Sequence, residues 1–258
     1  IPTTVGVTYS LALLPDSKMR QRVTDSRVGI ASVSKLTFDN NIAKSKQTFI
    51  AQRWNLVPQN LKAYEQGKLS KPVKPICFYI DDAFPVEWKN AIKQGVELWN
   101  KAFEQAGYQK AIEALDFPKN DHNFDADDIA YSCIRYVPST AEKVTSSFLA
   151  NPQTGEIINA SVFVPANVGD QIYRWLFLGS AASDATMRTS HLPQDKFNQG
   201  LKYMVACEVG RSLGLLDNIG ASYSYPVDSL RNSTFTHANN LAASIMANTP
   251  FNYVAQPS

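Results

Sequence analysis

The sequence predicts an α+β fold on three observations. Short apolar runs of strand length recur between residues 28–80 and 129–165, an aromatic and aliphatic stripe with helical period fills 85–107, and a long helical segment near residue 200 ends in a glycine turn. A chain of 258 residues can bury a full core. Lysine plus arginine (25) nearly balance aspartate plus glutamate (23), so the formal charge of +2 gives no electrostatic reason to expect nucleic acid as a partner. No apolar run reaches the roughly 18 residues that a transmembrane helix needs. The three cysteines, Cys77, Cys133 and Cys207, are odd in number and widely spaced, so they read as small buried thiols rather than a disulfide framework. The start, Ile1-Pro2-Thr3-Thr4, carries neither an initiator methionine nor a signal peptide, and a processed or truncated piece of a longer protein is expected.

Taken in order, residues 5–14 read as a strand closed by Pro15 and Asp16. Residues 27–38 alternate in the strand manner, with Val28, Ile30, Val33 and Leu36 as apolar positions, and 48–56, with Phe49, Ile50 and Trp54, offer a pairing partner. The lysine-rich stretch 58–75, broken by Gly67, Pro72 and Pro75, reads as a surface connection. Residues 76–80 are a compact apolar strand. From 85 to 107, Trp88, Ile92, Val96, Trp99 and Phe103 fall on one stripe of a core helix, and Pro85 suits its first turn. The acidic loop 120–128, with His122, Asp125, Asp127 and Asp128, lacks the spacing and the closing glutamate of a calcium loop. Residues 129–137 form another strand, and 144–149 with 157–165 form a hairpin around Asn151-Pro152-Gln153-Thr154-Gly155. A strand at the rim of such a sheet can take up an extended peptide by backbone pairing. Two helices, 168–188 and 195–213, are separated by Ser190-His191-Leu192-Pro193, and 221–258 read as a loop-rich cap. The expected organisation is one compact unit in three parts: 1–74 as N-terminal strands and connection, 75–218 as core, and 219–258 as a C-terminal subdomain.

Chemistry concentrates in residues 204–218, Met-Val-Ala-Cys-Glu-Val-Gly-Arg-Ser-Leu-Gly-Leu-Leu-Asp-Asn. The spacing is that of H-E-x-x-H-x-x-G-x-x-H, in which three histidines hold zinc and the glutamate activates water. Glu208 and Gly214 keep their positions, whereas the three ligand positions hold Cys207, Arg211 and Asp217. Thiolate and carboxylate can both bind zinc. A guanidinium has no lone pair to offer and repels a cation. Arg211 lies three residues after Glu208 on the same helix face, so it is expected to pair with that carboxylate and with Asp217, which the Gly214 turn brings back.

In these residues the chain resembles the secreted, metzincin-like zinc metalloproteases of Bacteroidota. The resemblance extends through Asp25-Ser26-Arg27-Val28-Gly29, the run from Lys71 to Asp81, Gly95 to Phe103, Pro152 to Ile157 and the helix with Glu208. It continues through Gly220-Ala221-Ser222, Tyr225 to Leu230, Ser244-Ile245-Met246 and Phe251 to Pro257. It implies a zincin fold: a twisted mixed sheet with packed helices, an active-site helix, and a loop-rich C-terminal subdomain with a Met-turn at Met246. It also implies export to the periplasm or the outer-membrane surface, as a lipoprotein in some members. The departures fall at the three histidine positions and at the aspartate-tyrosine pair after the Met-turn methionine, here Ala247-Asn248.

The resulting expectation is a pseudoprotease with a vestigial Glu208 and no cofactor, zinc being that of the family. It would bind a protein or peptide, or serve as a scaffold in an envelope complex. The alternative is an active zinc metallopeptidase using Cys207, Asp217 and a ligand from elsewhere such as His237. His237, His122 and His191 all read more simply as loop histidines.

Overall fold

The computed structural model describes residues 4–14, 16, 18–39 and 44–257. Strands β1 (Ser32–Asp39) and β2 (Lys44–Ala51) pair antiparallel as a two-stranded sheet of their own. Among the described side chains of this ladder only the inner end is buried, at Ile50 and Ala51, while Leu36, Phe38 and Phe49 stay exposed. The stretch that follows is not wholly irregular, because Asn60 caps a short helix α1 (Leu61–Glu65) by accepting from Ala63 N.

Five strands make the main sheet: β3 (Ile76–Ile80), β4 (Ile112–Asp116), β5 (Ser132–Val137), β6 (Thr145–Ala150) and β7 (Ile157–Pro165), in the order β4-β3-β5-β7-β6. β6 is antiparallel to β7 and forms one edge, and all other neighbours are parallel. The sheet is therefore mixed, which is compatible with a zincin-like fold. Period-2 burial along β3 and β7 sends Ile76, Phe78, Ile80, Val162 and Val164 into the core. Against them pack Ile92 and Val96 of α2 (Val86–Glu97) and Leu201, Val205 and Val209 of α5 (Gln194–Ser212). Burying that many aliphatic side chains at about 2 kcal/mol each is the main force holding the helices to the sheet.

Several elements differ from the sequence expectation. The helix over 85–107 is two: α2 stops, residues 98–99 turn, and α3 (Asn100–Gln105) begins. The turn lets Trp99 lay its indole on α5, donating to the Ala206 carbonyl at 2.9 Å, and lets Asn100 bond Ile112 and Ala111 at the entry to β4. β4 itself, Ile112-Glu113-Ala114-Leu115-Asp116, is an edge strand without clean alternation, so its sequence carries no period to read. α4 (Val168–Ser180) ends well before Arg188. The cap holds two short helices, α6 (Val227–Arg231) and α7 (Ser233–Asn239).

Residues 5–14 alternate like a strand but pair with no ladder among the described residues, and Val5, Val7, Tyr9, Leu11 and Leu13 are exposed. Period alone does not make a strand; a partner edge must satisfy its backbone. The expected closing residue Pro15, and Ile1, Pro2 and Thr3, lie outside the described residues. In the acidic loop, Asp121, Asp125 and Asp128 each accept from the backbone N–H two residues on, and Asp127 pairs with Arg135 at 2.6 Å. Those carboxylates serve to shape the loop.

Candidate functional site

The C-terminal half of α5 is buried on all sides, from Met204 through Gly210. That is why its sequence shows little amphipathic bias: it runs between the sheet and the C-terminal cap. Gly210 is required by this position. A Cβ there would lie 2.5 Å from a Trp99 ring carbon and 2.6 Å from the Met246 sulfur, so the helix backbone touches both residues. Met246 stands in a tight turn capped by Ser244, and its carbonyl accepts from Asn218 N at 2.8 Å. The loop leaving α5 and the Met246 turn are thereby pinned together.

The helix ends where Trp54 Nε1 donates to the Ser212 carbonyl (3.0 Å), satisfying one of the free carbonyls of the last turn. Gly214 follows with φ +92°, a conformation that side-chain-bearing residues rarely adopt. Beyond it, Ala31 N donates to the Gly214 carbonyl (2.8 Å), Leu216 N donates to the Gly29 carbonyl (2.9 Å), and Ile30 bridges Leu215. An N-terminal segment thus forms one wall beside the helix end. The edge strand β6 forms the other, and between them lies an open cleft of about 410 Å³ lined by Ala31, Ser146, Phe148, Leu215, Arg211 and Asp217 among others.

Bonded to two of these lining residues, Glu208 is itself nearly buried, its side chain 8% exposed. One carboxylate oxygen accepts from Arg211 Nη1, and the other accepts from the Ser146 hydroxyl at 2.7 Å. Arg211 reaches on to Asp217, with Nη2 and Nε both donating to Oδ1 at 2.6 and 3.1 Å. Burial works against the guanidinium charge, but Glu208 and Asp217 outweigh it and hold Arg211 above its ordinary pKa. Cys207 sits apart from this network. Its thiol donates to the Ile245 carbonyl (3.4 Å), and burial pushes it up to about 11, outweighing the opposite pull of Tyr203 and Arg211.

The structure therefore brings Glu208, Arg211 and Asp217 together and turns Cys207 toward the Met246 segment. His122, His191 and His237 are exposed, the last on α7. Among the described residues no group of three or more His, Cys, Asp or Glu converges as metal ligands, so His237 does not complete a set with Cys207 and Asp217. Sequence reasoning missed Ser146. A serine in a β-strand carries no signal of its own, and only the pairing of β6 with β7 brings it over α5.

Thiol chemistry gives a first test. Cys133, pushed up to about 12 by burial, and Cys207 are expected to resist a thiol reagent at pH 8 in the folded chain, with the half-buried Cys77 labelling first. All three should react in denaturant. Rapid native labelling of Cys207, located by mass spectrometry, would contradict the burial described. The raised thiols also set a sign. The folded chain keeps these protons to higher pH than the unfolded chain, so their stabilising contribution is complete below pH 9.0 and falls as pH rises toward 11–12.

Comparison with known families fits this region. A family model described as Met-zincin matches residues 189–258, and one described as a domain of unknown function (DUF5117) matches residues 1–59. Neither the curated proteins nor the solved structures gave a match. The Met-zincin match corrects the expectation of no cofactor: zinc is the metal of that family and the one the match implies. The side chains of Cys207, Arg211 and Asp217, expected from the sequence at ligand positions, do not fit a cation as they stand, because Arg211 bridges the two carboxylates and Cys207 is bonded to a backbone carbonyl. The chemistry these side chains offer is that of ion-paired carboxylates. In its last 70 residues, which include α5 and the Met246 turn, the chain is metzincin-like.

Proposed function

We propose that the chain is a pseudoprotease: a metalloprotease-like module that holds an extended peptide in the cleft between β6 and the Gly29–Ala31 wall without cleaving it. One observation carries the reading. A general base must be presented to the water it activates, yet Glu208 is only 8% exposed and each of its oxygens already accepts a bond, one from Arg211 and one from Ser146. The peptide-binding part rests on β6, which is an edge of the sheet and lines the cleft, so its outer backbone groups can pair with an added strand. In this reading Met246, packed against Gly210, is the Met-turn residue, and Cys207, Arg211 and Asp217 stand at former ligand positions. The Met-zincin match keeps an active metallopeptidase as the competing reading. We place the module in the cell envelope with a protein partner, which fractionation of the native host would test.

The experiment is to supply the purified chain with zinc and mixed fluorescent peptides, following binding by polarisation and cleavage by mass spectrometry. Saturable binding with intact peptides is the expected result. Turnover that disappears in Glu208→Gln would replace this reading with the metallopeptidase.

A further inference from the structure

The cleft and the buried carboxylate bonded to its lining together hold an unbalanced set of charges. Glu208 and Asp217 face a single cation, Arg211, so one negative charge is left uncompensated. The imbalance is located at Asp217. Its side chain is 46% exposed, and both bonds from Arg211 go to Oδ1, leaving Oδ2 without a donor among the described hydrogen bonds. Glu208, by contrast, has both oxygens engaged and is buried beneath. The remaining lining is uncharged, with Ala31, Leu215 and Leu216 along one wall and Ser146, Ser147 and Phe148 along the other.

An anionic ligand would meet a guanidinium already committed to two carboxylates and would bring a third negative charge beside them. A neutral ligand would leave Oδ2 to water. A cationic side chain would pair with Oδ2 while its methylene stem covered the aliphatic wall at Leu215, as long basic side chains do on apolar surface. We infer that the cleft selects peptides presenting a lysine or arginine side chain to Asp217, flanked by aliphatic residues. This rests on the peptide-binding reading above and narrows it to a ligand class.

The test uses three N-acetylated, C-amidated peptides, Ala-Leu-Xaa-Leu-Ala with Xaa as Lys, Gln or Glu, titrated by calorimetry against the whole chain. The lysine peptide should bind about threefold more tightly than the glutamine one, the size of a half-exposed ion pair, and the glutamate peptide more weakly than both. Asp217→Asn should erase the lysine advantage, bringing the lysine and glutamine peptides to the same Kd. On the unaltered chain, raising salt to about 0.5 M should shrink the lysine advantage and spare glutamine. Equal affinities for the three, or a preference for glutamate, would overturn the charge selection alone. Failure of all three to bind would overturn the peptide-binding reading, and this inference with it.

Discussion

Arg211→Ala should destabilise the chain by about 2 kcal/mol, measured by urea denaturation, although the residue is part exposed. The reason is what it leaves behind. Glu208 is 8% exposed and would keep only the Ser146 hydroxyl, so a carboxylate would stay in a largely dry site with half of its partners gone. Full burial of both partners would raise the loss to about 3–5 kcal/mol, and the 30% exposure of Arg211 reduces it. The signature that separates this cause from lost packing is the double variant. Adding Glu208→Gln to Arg211→Ala removes the stranded charge and should restore about half of the lost stability. Arg211→Lys should fall between, since one ammonium cannot bridge two carboxylates as a planar guanidinium does. Asp217→Asn, at a half-exposed partner, should cost less than about 1 kcal/mol. An Arg211→Ala variant as stable as the unaltered chain would show that the ion pair holds nothing together.

How much of this was legible in the sequence depends on how local each feature is. The strand at 76–80, the hairpin of β6 and β7, and the helix carrying Glu208 could be read because their periods and turn residues are written in consecutive positions. The pairing of Arg211 with Glu208 is legible for the same reason, being a three-residue step on one helix. Features made by distant segments were not. Ser146 reaches Glu208 only because β6 is the sheet edge above α5, and Ala31 lines the cleft only because the chain after Gly214 pairs with it. The arm at 5–14 shows the converse, a strand period with no edge to join among the described residues. The break between α2 and α3 came from contacts as well, since the stripe continues through Trp99 and Phe103 while Trp99 turns to bond α5.

The largest loss is expected from a residue with no chemistry. Gly214→Ala should cost about 3 kcal/mol, combining a strained positive φ with a forced shift of packed backbone. At φ +92° the new methyl would lie 2.4 Å from the Gln52 carbonyl oxygen, a main-chain atom that has no rotamer to move to. Gln52 is itself fixed, because its N–H donates to the Ala31 carbonyl at 2.8 Å. Relief therefore requires separating residues 29–31 and 52 from the turn. That separation would break the bonds Ala31 makes to Gly214 and Gly29 makes to Leu216, and would carry Asp217 away from Arg211. In thermal denaturation the drop should be about 6 to 12 °C for a chain of this size, and hydrogen exchange at Ala31 and Leu216 should accelerate more than in the β3–β5 core. Gly220→Ala is the control: its nearest neighbour to an added Cβ is 3.8 Å away and its φ is not positive, so its Tm should barely change. The functional consequence distinguishes this variant from Asp217→Asn. Gly214→Ala keeps the aspartate but dismantles the wall that presents it, so binding of every peptide should weaken, with charge preference and overall affinity falling together.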